Sequence, residues 1–108
     1  MSSFDQLEKL AADISAKASA SPDTSYTAKL LHQGIEKCAK KFGEEAVELA
    51  LVAVSGKRTE ATKEAADVLY HLLVLLKAAN ISPDEVMAEL KRREGVGGLA
   101  EKAARKED

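Results

Sequence analysis

Glu64-Ala65-Ala66-Asp67-Val68-Leu69-Tyr70-His71-Leu72-Leu73-Val74-Leu75-Leu76 contains no charge from Val68 to Leu76 and is apolar around nearly all of a helical circumference. That is the pattern of a central, buried helix. Yet Glu64, Asp67 and His71 share one stripe of it, within about 60° of one another at 100° per residue. The chain is rich in Ala, Leu, Glu and Lys, has two prolines and shows no run of alternating β-branched residues. An all-α fold is the expectation.

The neighbouring segments extend this reading. The run from Arg58 to Ala79 is one long helix, with Asn80 placed for the left-handed conformation that ends it. Upstream, Ile35 to about Val54 reads as a second long helix, and Ser55-Gly56-Lys57 is the turn between the two. A connection that short makes them antiparallel neighbours. A first amphipathic helix runs to about Ala18, opened by a capping box of Ser3 and Gln6, and Tyr26 to Gln33 forms a short helix that Gly34 ends. Ser82 as N-cap, Pro83 at the first helical position and Glu85 at the third start a helix that stops at Gly95. Residues 96–108 read as a loop and a mobile tail. The expectation is one domain, 1–108, of about five helices, with the two long antiparallel helices forming the core of a dimeric bundle. The dimer follows from counting faces: three shorter helices cannot cover both long ones, which leaves Val47, Leu51, Val54 and part of the Leu69, Leu72, Leu73 and Leu76 surface for a second copy.

The first long helix carries the chemistry. With Phe42 set to zero, its apolar side chains spread over more than half the circumference, and the sector from roughly 200° to 300° holds Glu44, Glu45 and Glu48, with Lys37 and Lys41 upstream on the same side. Glu44-Glu45-x-x-Glu48 therefore faces Glu64-x-x-Asp67 across the antiparallel pair. Clustered carboxylates in a low dielectric take up protons or bind cations, and hard divalent cations such as Mg²⁺ suit all-oxygen ligands. The competing reading is a solvated helix face braced by Lys40–Glu44 and Lys41–Glu45 pairs. It is weakened by the less favourable Lys-before-Glu order and by the apolar helix that Glu64 and Asp67 open. His71 reads as a hydrogen-bonded core histidine and Cys38 as a small core residue. Lys37, Lys40 and Lys41 are either solvated charges or phosphate contacts.

Composition narrows the function classes. Sixteen Lys plus Arg against eighteen Asp plus Glu, with 4% aromatic residues, offer no basic stripe or stacking platform for nucleic acid. One cysteine excludes a disulfide framework within the chain and a cysteine zinc site. The glycines form no P-loop. Met1-Ser-Ser-Phe-Asp-Gln lacks the features of a signal peptide, and the longest hydrophobic-rich stretch falls short of the ~20 residues of a membrane span, so a cytoplasmic protein is expected.

The blocks Ser25-Tyr26-Thr27-Ala28-Lys29-Leu30, Lys40-Lys41-Phe42-Gly43-Glu44-Glu45-Ala46-Val47-Glu48 and Glu64 to Leu76, with Arg92-Arg93-Glu94-Gly95 and Glu101-Lys102-Ala103-Ala104-Arg105, together resemble the phosphoribosyl-ATP pyrophosphohydrolases, within the MazG-like all-α nucleoside triphosphate pyrophosphohydrolases. The acidic double motif is common to the whole superfamily. The Ser25–Leu30 and Ala66–Leu73 blocks look specific to the histidine-pathway branch. The resemblance implies cleavage of phosphoribosyl-ATP to phosphoribosyl-AMP and pyrophosphate, the second step of histidine biosynthesis. It implies Mg²⁺ held by Glu45, Glu48, Glu64 and Asp67, Glu44 ligating or positioning water, and a homodimer. Lys29, Lys37, Lys40 and Lys41 become candidates for the substrate phosphates, with Ser25 and Thr27 adding hydroxyl contacts. Gly97 stands where the family pattern has a serine, which puts a hydroxyl contact from that loop in question. The rival functions are a housekeeping pyrophosphohydrolase of other nucleoside triphosphates, with the same carboxylates, and a non-catalytic helical dimerisation module.

Overall fold

The computed structural model describes residues 3–105, and all its regular elements there are helices: α1 (Asp5–Lys17), α2 (Tyr26–Gln33), α3 (Ile35–Val54), α4 (Arg58–Ala78), α5 (Pro83–Arg93) and α6 (Gly98–Arg105). Local chemistry explains most boundaries. Ser25 Oγ accepts from the Ala28 N–H at 3.1 Å and caps α2, satisfying a donor the first turn leaves without a partner. Gly34, at φ 97°, then separates α2 from α3 in a conformation that favours glycine. Asn80 adopts φ 60°, and the bonds from Ile81 N–H to Leu76 O and from Asn80 N–H to Lys77 O close α4 as a Schellman motif. Ser82 and Glu85 form the capping box of α5, with Pro83 in its first turn.

Two expectations are corrected. Ser3 does not cap α1: Phe4 occupies the N-cap position without a side-chain bond, and Ser3 contributes only its carbonyl to the Gln6 N–H. The capping box therefore does not form, because the phenylalanine side chain at the N-cap has no oxygen to accept from the first turn's N–H groups. Residues 98–105, expected within the loop and tail, form α6, since Leu, Ala, Lys and Arg outweigh the break introduced by Gly97 and Gly98. Residues 106–108 of that segment lie outside the described residues.

The short turn makes α3 and α4 an antiparallel pair, with Leu49 and Ala53 beside Ala61 and Ala65. α1 and α2 pack on α4, α2 packs on α3 as well, and the core lies where they meet: Ile14, Leu30, Cys38, Leu73 and Val74. Cys38 is fully buried, as expected, and its thiol donates to Leu30 O at 3.3 Å; burial pushes that thiol's pKa up. Thr27 is buried too, its hydroxyl 2.6 Å from the Tyr70 hydroxyl, which ties α2 to α4.

Within one chain α4 is buried along one side only. Leu69 is 43% exposed, and on α3 Val47, Leu51 and Val54 are 59%, 64% and 90% exposed. α5 leaves α4 with a bend of 108° and has no fully buried residue, and its Val86 and Met87 border an open cleft with Leu69, Leu72 and Leu76. No single described helix is long and apolar enough to cross a membrane.

Candidate active site

The antiparallel register sets the middle of α3 beside the first turns of α4. One carboxylate oxygen from each of Glu45, Glu64 and Asp67 lies within 4.8 Å of the others. Glu45 and Glu64 are half-buried and Asp67 is exposed. Beside them an open cleft of about 740 Å³ is lined by Gly43, Glu44, Glu45, Val47, Glu48 and Glu64.

The electrostatics of the cluster are those of acids crowded together. Glu64 has its pKa raised first by its carboxyl–carboxyl contact with Glu45, then by burial and by the charges of Glu45, Asp67 and Glu48. Such a contact is attractive only while one partner holds a proton. The other notable feature is that Glu64 Oε2 is buried with no hydrogen-bond partner. An orphaned buried carboxylate oxygen among other carboxylates fits a hard divalent cation.

The remaining expected site residues are distributed differently. Glu48 lines the cleft, and its charge acts on Glu64, but it stands outside the closest trio. Glu44 lines it as well and is 3.7 Å from Lys41, an i,i+3 pair that differs from both i,i+4 pairs of the competing solvated-face reading. Lys29, Lys37 and Lys40 are exposed and do not border the cleft. Both hydroxyls have structural partners: Ser25 caps α2, and Thr27 is buried against Tyr70. Gly43, and Val47, which the sequence assigned only to the dimer surface, also border the cleft. Their place between the acidic positions of α3 is the signal that they would border the site.

His71 corrects another expectation. It is 6% exposed, as a core histidine should be, but its Nδ1 is buried without a hydrogen-bond partner. Its ring meets Tyr70 and Tyr26 edge-on, with centroids 5.0 and 6.5 Å away. Burial lowers its pKa against the opposing pull of Glu45, and the neutral ring is favoured.

A family model described as phosphoribosyl-ATP pyrophosphohydrolase matches residues 7–94, a span that holds both acidic motifs and all of α2 to α5. The chain belongs to the phosphoribosyl-ATP pyrophosphohydrolase family. It is 62% identical over 99 residues to a phosphoribosyl-ATP pyrophosphatase of Cereibacter sphaeroides, covering 92% of this chain and 96% of that protein. The protein of the same name from Dinoroseobacter shibae is 60% identical, with 92% and 97% covered. That of Paracoccus denitrificans is 56% identical over 100 residues, with 93% of each covered. Gly97, the departure noted in the sequence, lies beyond the residues matched to the phosphoribosyl-ATP pyrophosphohydrolase family.

Proposed function

We propose that this protein hydrolyses phosphoribosyl-ATP to phosphoribosyl-AMP and pyrophosphate, the second step of histidine biosynthesis, in the cytoplasm. The observation that carries the reading is the trio Glu45, Glu64 and Asp67, brought together in a chain whose relatives bear the name of that activity. Glu45, Glu48, Glu64 and Asp67 hold Mg²⁺, and Glu44, at the rim of the cleft, ligates or positions the attacking water. When bound, Mg²⁺ supplies neutralisation of the polyphosphate and a lowered pKa for coordinated water. A glutamate of the cleft accepts the proton of the water, the α–β phosphoanhydride breaks, and pyrophosphate leaves. Lys41, half-buried and 3.7 Å from Glu44, is the lysine that this reading assigns to the phosphates.

The working unit is a homodimer. Val47, Leu51, Val54 and Leu69 form an apolar surface that the single chain leaves in water. Each such side chain gains roughly 1.5 to 3 kcal/mol on full burial, and a two-fold axis lets one patch cover its own copy. The test of the activity is pyrophosphate release with Mg²⁺ from phosphoribosyl-ATP, ATP and deoxynucleoside triphosphates measured side by side. Preference for phosphoribosyl-ATP is expected. Equal or faster cleavage of the others would make the protein a housekeeping hydrolase, and no cleavage at all would favour a non-catalytic module.

A further inference from the structure

α2 presents one aromatic ring to solvent beside the carboxylates. Within residues 25–30, Thr27, Ala28 and Leu30 are buried and Ser25 caps the helix, whereas Tyr26 is 54% exposed. Its ring stacks on Tyr70, with centroids 6.4 Å apart and planes 18° from parallel, and meets His71 edge-on at 6.5 Å. Those two contacts fix its place on α4. At 100° per residue counted from Glu64, Asp67 lies near roughly 300°, Tyr70 near 240° and His71 near 340°. A ring that meets both Tyr70 and His71 therefore stands over the sector of Asp67, about one turn or ~5 Å farther along the helix. His71 links the two places, since it feels the charges of Glu45 and Asp67. Tyr26 and the acidic trio thus share one surface, on the order of 10 Å apart.

Tyr70, not Tyr26, makes the hydroxyl bond to Thr27 that ties α2 to α4. What Tyr26 adds is a flat π-face near the carboxylates, where a nucleotide with its phosphates on the acidic cluster would hold its base. The base of the proposed substrate has a distinctive charge. In phosphoribosyl-ATP the second ribose is bonded to N1 of the adenine, and an adenine alkylated at N1 is a strong enough base to carry a proton at neutral pH, its positive charge spread over the ring and the exocyclic nitrogen. The base of ATP is neutral. A tyrosine face is the negative end of the ring's quadrupole and attracts a cation laid on it. Burial favours the uncharged form of His71, which keeps that neighbour from adding a like charge at the edge of the platform.

We propose that Tyr26 is the platform for the substrate's base and that it selects an N1-alkylated, cationic adenine over the neutral adenine of ATP. The carboxylates, through a metal, recognise the polyphosphate that all nucleoside triphosphates share. Tyr26 recognises the charge that the second ribose puts on the base. The inference rests on the substrate proposed above.

The test compares two probes that differ only in the charge of the base, the α,β-methylene analogues of ATP and of N1-methyl-ATP, which cannot be cleaved between the α and β phosphorus atoms. Calorimetry with Mg²⁺ measures their binding to the wild-type chain, Tyr26→Phe and Tyr26→Leu. The wild type is expected to bind the N1-methyl analogue about fivefold more tightly, a step within the range of a cation on an aromatic face. Tyr26→Phe should keep that preference, because it keeps the ring, and Tyr26→Leu should lose it. No preference in the wild type would overturn the proposal. So would a preference that survives in Tyr26→Leu, which would belong to the carboxylates instead. A second measurement does not depend on the leucine variant folding. The chain has two tyrosines and no tryptophan, so in Tyr70→Phe all tyrosine emission comes from Tyr26. Saturation with the N1-methyl analogue should quench it, after correction for absorption by the purine, and unchanged emission would overturn the platform. A wild-type chain that shows the preference and the quenching but does not cleave phosphoribosyl-ATP would defeat the activity and leave the platform standing. Cleavage of phosphoribosyl-ATP without either signal would do the reverse.

Discussion

Replacing Thr27 by Val, Tyr70 by Phe, and both together separates a structural hydroxyl from a substrate contact. The two hydroxyls meet at 2.6 Å, Thr27 is 6% exposed and Tyr70 is half-buried. A typical hydrogen bond contributes about 0.5 to 1.5 kcal/mol net, and leaving one buried partner unsatisfied costs about 1 to 3 kcal/mol. Tyr70→Phe strands the Thr27 hydroxyl, which can still turn to a backbone carbonyl of its own helix, so a loss of about 1 to 2 kcal/mol is expected. Thr27→Val strands the less buried Tyr70 hydroxyl, which reaches water more easily, and should cost about 1 kcal/mol or less. The double variant has no orphan. It should cost less than the sum of the singles, with a coupling of about 1 kcal/mol. Urea unfolding at one fixed protein concentration measures all four chains, because dimerisation makes apparent stability concentration-dependent. By heat, each kcal/mol corresponds to roughly 4 to 8 °C for a domain of this size. Turnover of folded Thr27→Val should stay within a few-fold of wild type. Strict additivity of the stability losses, or a large rise in KM at unchanged stability, would refute the structural role and return Thr27 to the substrate.

Glu48→Gln and Asp67→Asn should each lower kcat by about a hundredfold or more, the order seen when a group stabilising transition-state charge is removed, with unchanged helical circular dichroism. Near-normal turnover at saturating Mg²⁺ in both would sink the ligand assignment, and Glu36→Gln, outside the double motif, should behave as wild type. Burial lowers the pKa of His71 from its ordinary 6.5, so below that value the unfolded chain binds more protons than the folded one and stability should fall as the solution is acidified. His71→Leu should flatten this slope in unfolding curves taken across that range; an unchanged slope would assign it to other groups. Sedimentation at micromolar concentration should report about twice the 11.5 kDa chain mass, and Leu51→Glu, which sets a charge in the exposed strip, should shift it toward the monomer. A wild-type mass of one chain would show that the apolar strip stays exposed in solution.

Helix identity, the caps at Ser25 and Ser82, the stop at Asn80 and the two acidic stripes were legible in the chain because each depends on residues within about one turn of one another. Local rules failed at Ser3, where the helix begins one residue later with Phe4 at its N-cap, and at Gly97 and Gly98, where the following residues favour helix. A helical wheel gives each side chain its angle on its own helix but not the register between helices, which packing sets. Only the tertiary structure therefore brought Glu45 to Glu64 and Asp67 while leaving Glu48 just outside, joined Thr27 to a hydroxyl 43 residues away, and buried His71 Nδ1 without a partner.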